Sequence, residues 1–181
     1  TLEDFLDPQV DDQMPQNSLH LSDSFNLFQI FQTRYQQEPT VGVFSDLKMD
    51  WGISGLQGPA PDVAVVPHLN RDKHLVRSTF DVLAEGTRPS LVIEIVSPRY
   101  SGDETEKVKI YQRAGVEEYF IIHPHSDAPQ PYYEITGYRR SWKGYQRLQP
   151  DSQGRWYSLT TQVWFSICEG GRRLLVTDAQ T

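Results

Sequence analysis

The chain has 181 residues, 38% hydrophobic and 12% aromatic, which is enough apolar material for one real core and too much for a disordered chain. Its formal net charge of −7 argues against a protein that grips nucleic acid by non-specific electrostatics, since that needs clustered Lys and Arg; carboxylates that hold divalent cations themselves subtract charge, so a local nucleic-acid contact stays open. No run of about 18 apolar residues predicts a membrane span, and the first residues lack the basic-then-apolar order of a secretory signal, so the expected setting is the cytoplasm.

Residues 1–16 are acidic and Pro-containing without periodicity and read as a flexible N-terminal arm; 17–181 read as one domain. From Ser22, the apolar positions Leu27, Ile30, Phe31 and Tyr35 recur at helical spacing and predict a first helix to about Gln37, ended by Glu38-Pro39. VGVF and the segment Leu47 to Trp51, followed by the Gly- and Pro-rich ISGLQGPA, predict a strand hairpin. PDVAVVP, Pro61 to Pro67, is a proline-bounded strand, and HLNRDKHLVRST after it reads as a surface loop. LVIEIV, Leu91 to Val96, is a near-continuous β-branched run ended by Ser97-Pro98, the pattern of a central strand buried on both faces. A helix over Asp103 to Ala114, stopped by Gly115, and the buried strand EYFII complete a strand–helix–strand crossover. PYYEITGYRR, GYQRLQ, RWYSL, VWFSI and RLLVT then predict C-terminal hairpins that extend or flank the sheet. The fold class is therefore α/β, a mixed sheet flanked by helices.

Glu94 stands in the middle of LVIEIV, where an unpaired carboxylate would cost several kcal/mol. A basic partner, a raised pKa or a bound metal must compensate it. Asp62 opens the other apolar strand after Pro61, and two acids on neighbouring strands can place their oxygens around one cation. Hard oxygen ligands select magnesium, manganese or calcium; the lone Cys168 and the absence of a Cys/His cluster give no support for zinc. The two carboxylates are expected within about 4 to 6 Å of each other, a span that one divalent ion bridges. On the helix, Lys107 lies three, four and seven positions before Ile110, Tyr111 and Ala114, so it faces the sheet, whereas Lys109 faces solvent. Asp103, one turn before Lys107, is read as a cap or as a partner of that lysine.

PDVAVVP, LVIEIVSP and DETEKVKIYQRAGVEEYFIIHP together resemble the Uma-two family of "putative restriction endonucleases" within the PD-(D/E)XK nuclease superfamily, over roughly Asn17 to Pro124. The resemblance implies a restriction-endonuclease-like domain that hydrolyses DNA phosphodiesters with Mg2+ or Mn2+. It implies Asp62 and Glu94 as metal ligands, with the backbone carbonyl of Ile95 as a further ligand. The usual motif lysine, two residues after the second acid, is replaced here by Val96. Similar members carry the lysine on the following helix, where Lys107 stands with Tyr111 one turn on, expected to orient Lys107 or touch phosphate. DNA is the implied partner, and cutting both strands suits a homodimer. The rival reading is a catalytically inactive binding module that retains the fold, prompted by Val96 and the acidic charge.

Other residues carry less. His123 and His125 flank Pro124 and could line the cleft, but two histidines without a third ligand do not make a zinc site. Arg71, Lys73, His74 and Arg77 form a basic loop. Arg139, Arg140, Lys143 and Arg147, interleaved with Tyr138, Trp142 and Tyr145, could serve nucleic acid by stacking and neutralisation, or be an ordinary twisted hairpin.

Overall fold

A computed structural model describes the backbone of residues 18–96, 101–126 and 128–179, with side chains for 22–96, 105–126 and 128–179. The expected arm over 1–16 lies outside the described residues. In chain order the elements are α1 (Ser18–Arg34), β1 (Gly42–Phe44), β2 (Lys48–Asp50), β3 (Val63–Val66), β4 (Thr79–Asp81), α2 (Val82–Glu85), β5 (Leu91–Ile95), α3 (Ser101–Ala114), β6 (Glu118–His125), β7 (Tyr132–Ser141), β8 (Gly144–Arg147), β9 (Trp156–Ser158), β10 (Val163–Cys168) and β11 (Arg173–Asp178). The main sheet runs β1-β3-β5-β6-β7-β8. Only β5 and β6, joined through α3, pair in parallel within it.

The alternation of side chains along each strand sorts the core into two layers. Val63, Val65, Leu91, Ile93, Ile95, Phe120 and Ile122 pack with Leu27 and Phe31 of α1 and with Val163 and Phe165 of β10. Ala64, Val66, Val92, Val96, Tyr119 and Ile121 point the other way, onto Tyr111 and Ala114 of α3 and onto Met49, Trp51 and Phe80. Strand β5 is thus covered on both faces, which accounts for its unbroken apolar run. Among the described residues, no helix is long and apolar enough to cross a membrane.

Two local expectations are corrected. The segments around VGVF and Leu47 to Trp51 do not form a hairpin: β1 pairs antiparallel with β3, and β2 pairs in parallel with β4. Asp46, at φ 50°, turns the chain between them and donates its amide to the Pro61 carbonyl at 3.0 Å. The polar stretch after Pro67 is a loop, as expected, and leads into β4 and the short α2, whose N-cap Asp81 accepts the amides of Leu83 and Ala84. The first helix ends at Arg34, three residues before the expected stop.

The C-terminal strands β9, β10 and β11 form a separate antiparallel sheet over the α1 layer, with Phe165 packed on Phe120 and Phe31 at ring separations of 4.7 and 6.3 Å. A fully buried carboxylate ties this sheet to β6. Glu118 accepts from Arg139 Nε (2.7 Å), Ser158 Oγ (2.7 Å), the amides of Leu159 and Thr160 (both 3.0 Å) and Thr160 Oγ1 (2.8 Å). Removing one partner of a buried, hydrogen-bonded ion pair leaves the other groups unsatisfied. Glu118→Ala should therefore lower stability by about 3–5 kcal/mol in urea unfolding; a loss under about 1 kcal/mol would mean the network does not hold the second sheet in place.

Candidate active site

The antiparallel register of β3 and β5 pairs Val63 with Ile93 and Ala64 with Val92. Continued by one step, it sets Asp62 opposite Glu94. Alternation then puts both side chains on the α3 face, with Ala64, Val66, Val92 and Val96. Directly opposed residues have Cβ atoms roughly 4.5–5.5 Å apart, so the two acids lie in one layer as neighbours. Like charges in such a pair repel.

The sheet edge between them is also shaped by the backbone. The Val96 amide donates to the Ile122 carbonyl on β6, so its neighbour Ile95 points its own backbone groups toward β3. There the Ile95 N–H donates to Asp62 Oδ2 at 2.7 Å. The carbonyl of a strand residue projects to the same edge as its amide, which puts the Ile95 carbonyl on the side of Asp62.

Glu94 is 3% exposed. Lys107 Nζ donates to its Oε2 at 3.0 Å, and the Tyr111 hydroxyl donates to its Oε1 at 2.5 Å. Burial pushes the Glu94 carboxyl up to about 7; Lys107 opposes this, the Asp62 charge adds to it, and the Tyr111 and Lys107 hydrogen bonds oppose it again. Tyr111 is held well above the usual phenol range by burial and by the adjacent Glu94 carboxylate. Its hydroxyl is buried on Glu94, a different place from the expected contact with Lys107 or phosphate.

The helical-face argument separates the lysines as expected: Lys107 is one-fifth exposed and bonded to Glu94, whereas Lys109 is exposed. Val96, 7% exposed, packs in the apolar cluster beneath α3. The side chain of Asp103 lies outside the described residues. His123 is buried on the same face, next across from Val96 in the parallel register, and His125 pairs with Glu134 at 3.2 Å and stacks on Tyr132. Among the described residues, no three His, Cys, Asp or Glu side chains gather into a metal-type cluster.

Several cations of the two basic stretches are held by the fold. Lys73 donates to the carbonyls of Tyr35, Gln36 and Glu38 behind α1, and Arg77 pairs with buried Glu85 at 2.8 Å. On the β7–β8 hairpin, Arg139 and Arg140 pair with Glu118 and Glu117, and the Tyr145 hydroxyl donates to the Val116 carbonyl. The hairpin turn lies at the Glu118 end of β6, away from Glu94. A residue the sequence did not single out is Trp51, whose indole meets the Tyr111 ring edge-on at 6.0 Å.

The raised Glu94 pKa fixes the sign of a stability profile. The native carboxyl binds its proton more tightly than the unfolded one, so stability falls as pH rises from about 4.5 to about 7. The penalty is complete above that window and absent below it. We expect the melting temperature of the metal-free protein to decline between pH 5 and 8, on the order of 3 kcal/mol in stability, and Glu94→Gln to remove that component. An unchanged profile in the variant would contradict the assignment.

With this geometry in place, comparison with known proteins adds the following. The crystal structure of "a putative nuclease belonging to DUF820 from Anabaena variabilis ATCC 29413" is similar to this chain, with a TM-score of 0.59, 17% identity, and coverage of 89% of this chain and 90% of that one; at that identity the likeness concerns the fold. No curated protein matches. The Uma2 family, described as "Putative restriction endonuclease", matches residues 4–167, which include Asp62 at the entrance to β3 and the whole strand–helix–strand unit that carries Glu94, Lys107 and Tyr111, and the chain belongs to that family.

Proposed function

We propose that this protein is a divalent-metal-dependent endonuclease that hydrolyses DNA phosphodiester bonds. The observation that carries this reading is the opposition of Asp62 and Glu94 on one sheet face, with the Ile95 carbonyl directed to the same edge. Burial raises the Glu94 pKa, and the half-buried Asp62 carboxylate placed beside it adds to the rise by repulsion. A hard cation would turn that repulsion into attraction. The donor set of two carboxylates and one backbone oxygen, completed by water, suits Mg2+ or Mn2+ and not zinc.

Asp62, Glu94 and the Ile95 carbonyl are the proposed ligands. A divalent ion there would lower the pKa of bound water and polarise a phosphoryl oxygen. Lys107 presents its ammonium at the Glu94 carboxylate, where it would orient the attacking water and offset charge that develops on the phosphoryl group. Tyr111, buried behind Glu94, would fix the orientation of the carboxylate, which retains lone pairs on both oxygens after accepting two hydrogen bonds. The family membership supports the DNA substrate. Two copies related by a two-fold axis would suit cleavage of both strands.

Val96, buried where the usual motif has lysine, favours one rival: an inactive module that keeps the fold. The test is incubation of the protein with supercoiled plasmid and Mn2+, with EDTA as control. We expect EDTA-sensitive nicking or linearisation that is abolished in Asp62→Asn and Glu94→Gln. Lys107→Ala should reduce it by about 10² or more, the scale for losing a preorganised transition-state group. Lys109→Ala should be nearly silent, and Lys107→Ala should leave Mn2+ binding intact because an ammonium cannot ligate the ion. Absence of both cleavage and a Mn2+-induced thermal shift would favour the inactive module, and a larger effect at Lys109 would reject the helix-borne lysine.

A further inference from the structure

Tyr111 can hold Glu94 only if its own ring is held. On one side it packs on Tyr119 of β6 at 4.8 Å, a wall built into the sheet. The other wall is Trp51, edge-on at 6.0 Å and 80°. Trp51 comes directly after β2, on the segment 51–61 that leads to Asp62. That segment leaves through a turn at Gly52, at φ 65°, whose amide donates to Asp50 Oδ1 at 3.0 Å, and it returns at Gly58.

Gly58 brings its backbone against the Nε1 edge of the indole. A Cβ at Gly58 would lie 2.1 Å from Trp51 Nε1, closer than a side-chain carbon can approach, and 3.1 Å from two further indole atoms. Only glycine lets the returning backbone close on the indole. The contact also leaves Trp51 Nε1, in a side chain 2% exposed, without a hydrogen-bond acceptor among the described residues. A buried unmet donor costs about 1–3 kcal/mol, so a tryptophan here is a poor choice for stability alone. Its size and edge-on placement against Tyr111 are the properties that the site uses.

We propose that Trp51, seated on the bare backbone of Gly58, is a positioning residue that locks the Tyr111 hydroxyl onto Glu94. The same short segment continues through Pro59 and Pro61 into Asp62, and proline fixes φ at both positions. One loop therefore delivers one carboxylate and braces the other through Tyr111. The packing claim stands independently of any activity, while its consequence for cleavage rests on the nuclease reading above.

The test is NMR on metal-free protein labelled at the tyrosine ζ carbon, whose shift reports the hydrogen bond of each hydroxyl. Trp51→Leu and Gly58→Ala should each move the Tyr111 signal toward its position in Glu94→Ala, where the acceptor is gone, and Trp51→Phe should restore most of the native shift. Phe165→Leu, a comparable core truncation in the opposite layer, should leave Tyr111 unmoved. If Trp51→Leu does not fold, Gly58→Ala carries the test, because it keeps the indole and only displaces it. Where cleavage is measurable, both variants should lower kcat by about 10- to 100-fold with KM little changed, the scale of a misplaced catalytic group. An unmoved Tyr111 signal in the Trp51 and Gly58 variants, or an equal shift in Phe165→Leu, would overturn the proposal whether or not the protein cuts DNA.

Discussion

The structure is organised around a carboxylate in a strand that has no polar face. Strand β5 is covered by α1 on one side and α3 on the other, and Glu94 in it stands opposite a second acid at the start of β3. Such a pair is unfavourable in an apolar layer without compensation. What surrounds it supplies that compensation in part: a lysine and a tyrosine from α3 and a backbone amide from β5. The balance remains positive for the proton, which is why the Glu94 carboxyl titrates near neutrality.

The departure at Val96 follows from the same packing. A lysine there would share the face of Glu94 and place its stem in the layer where Val96 now fills space with Val92, Tyr111 and Ile121. Sending the cation from α3 keeps that layer apolar, because Lys107 enters from the helix above and its side chain stays one-fifth exposed. The cost is dependence on the seating of α3 relative to β5. Tyr111 provides that seating from the next turn of the helix, anchored between β6 and the loop that carries Trp51.

The parts of this arrangement that were legible in the sequence are the ones with local or periodic signals. LVIEIV marked the central strand because burial on both faces removes alternation. Glu94 stood out because its charge contradicts that burial. Lys107 was separable from Lys109 by helical spacing alone. Asp62 was a candidate because it opens the second apolar strand, and the resemblance to the Uma-two family added the Ile95 carbonyl as a proposed ligand; the register of β3 on β5 sets Asp62 opposite Glu94. The pairing of β2 with β4 was not legible, because a parallel contact between three-residue strands some 30 positions apart leaves no pattern in either segment. Trp51 was missed for a similar reason: its importance lies in a contact with a helix 60 residues away and with a glycine whose only signal is a missing side chain. The basic hairpin could be read from sequence as a nucleic-acid surface or as an ordinary hairpin, because composition does not show that Arg139 and Arg140 face Glu118 and Glu117.

Under the proposed function, the Asp62–Glu94 pair would be completed by a divalent cation. The most direct measurement of this is the Glu94 side-chain carboxyl resonance, followed through a pH titration in carbon-13 NMR with and without saturating Mg2+. The midpoint should lie near 7 in the metal-free protein and fall below about 5 when the ion is present, since a ligated carboxylate must be deprotonated. A midpoint that Mg2+ leaves unmoved would contradict the proposed metal site.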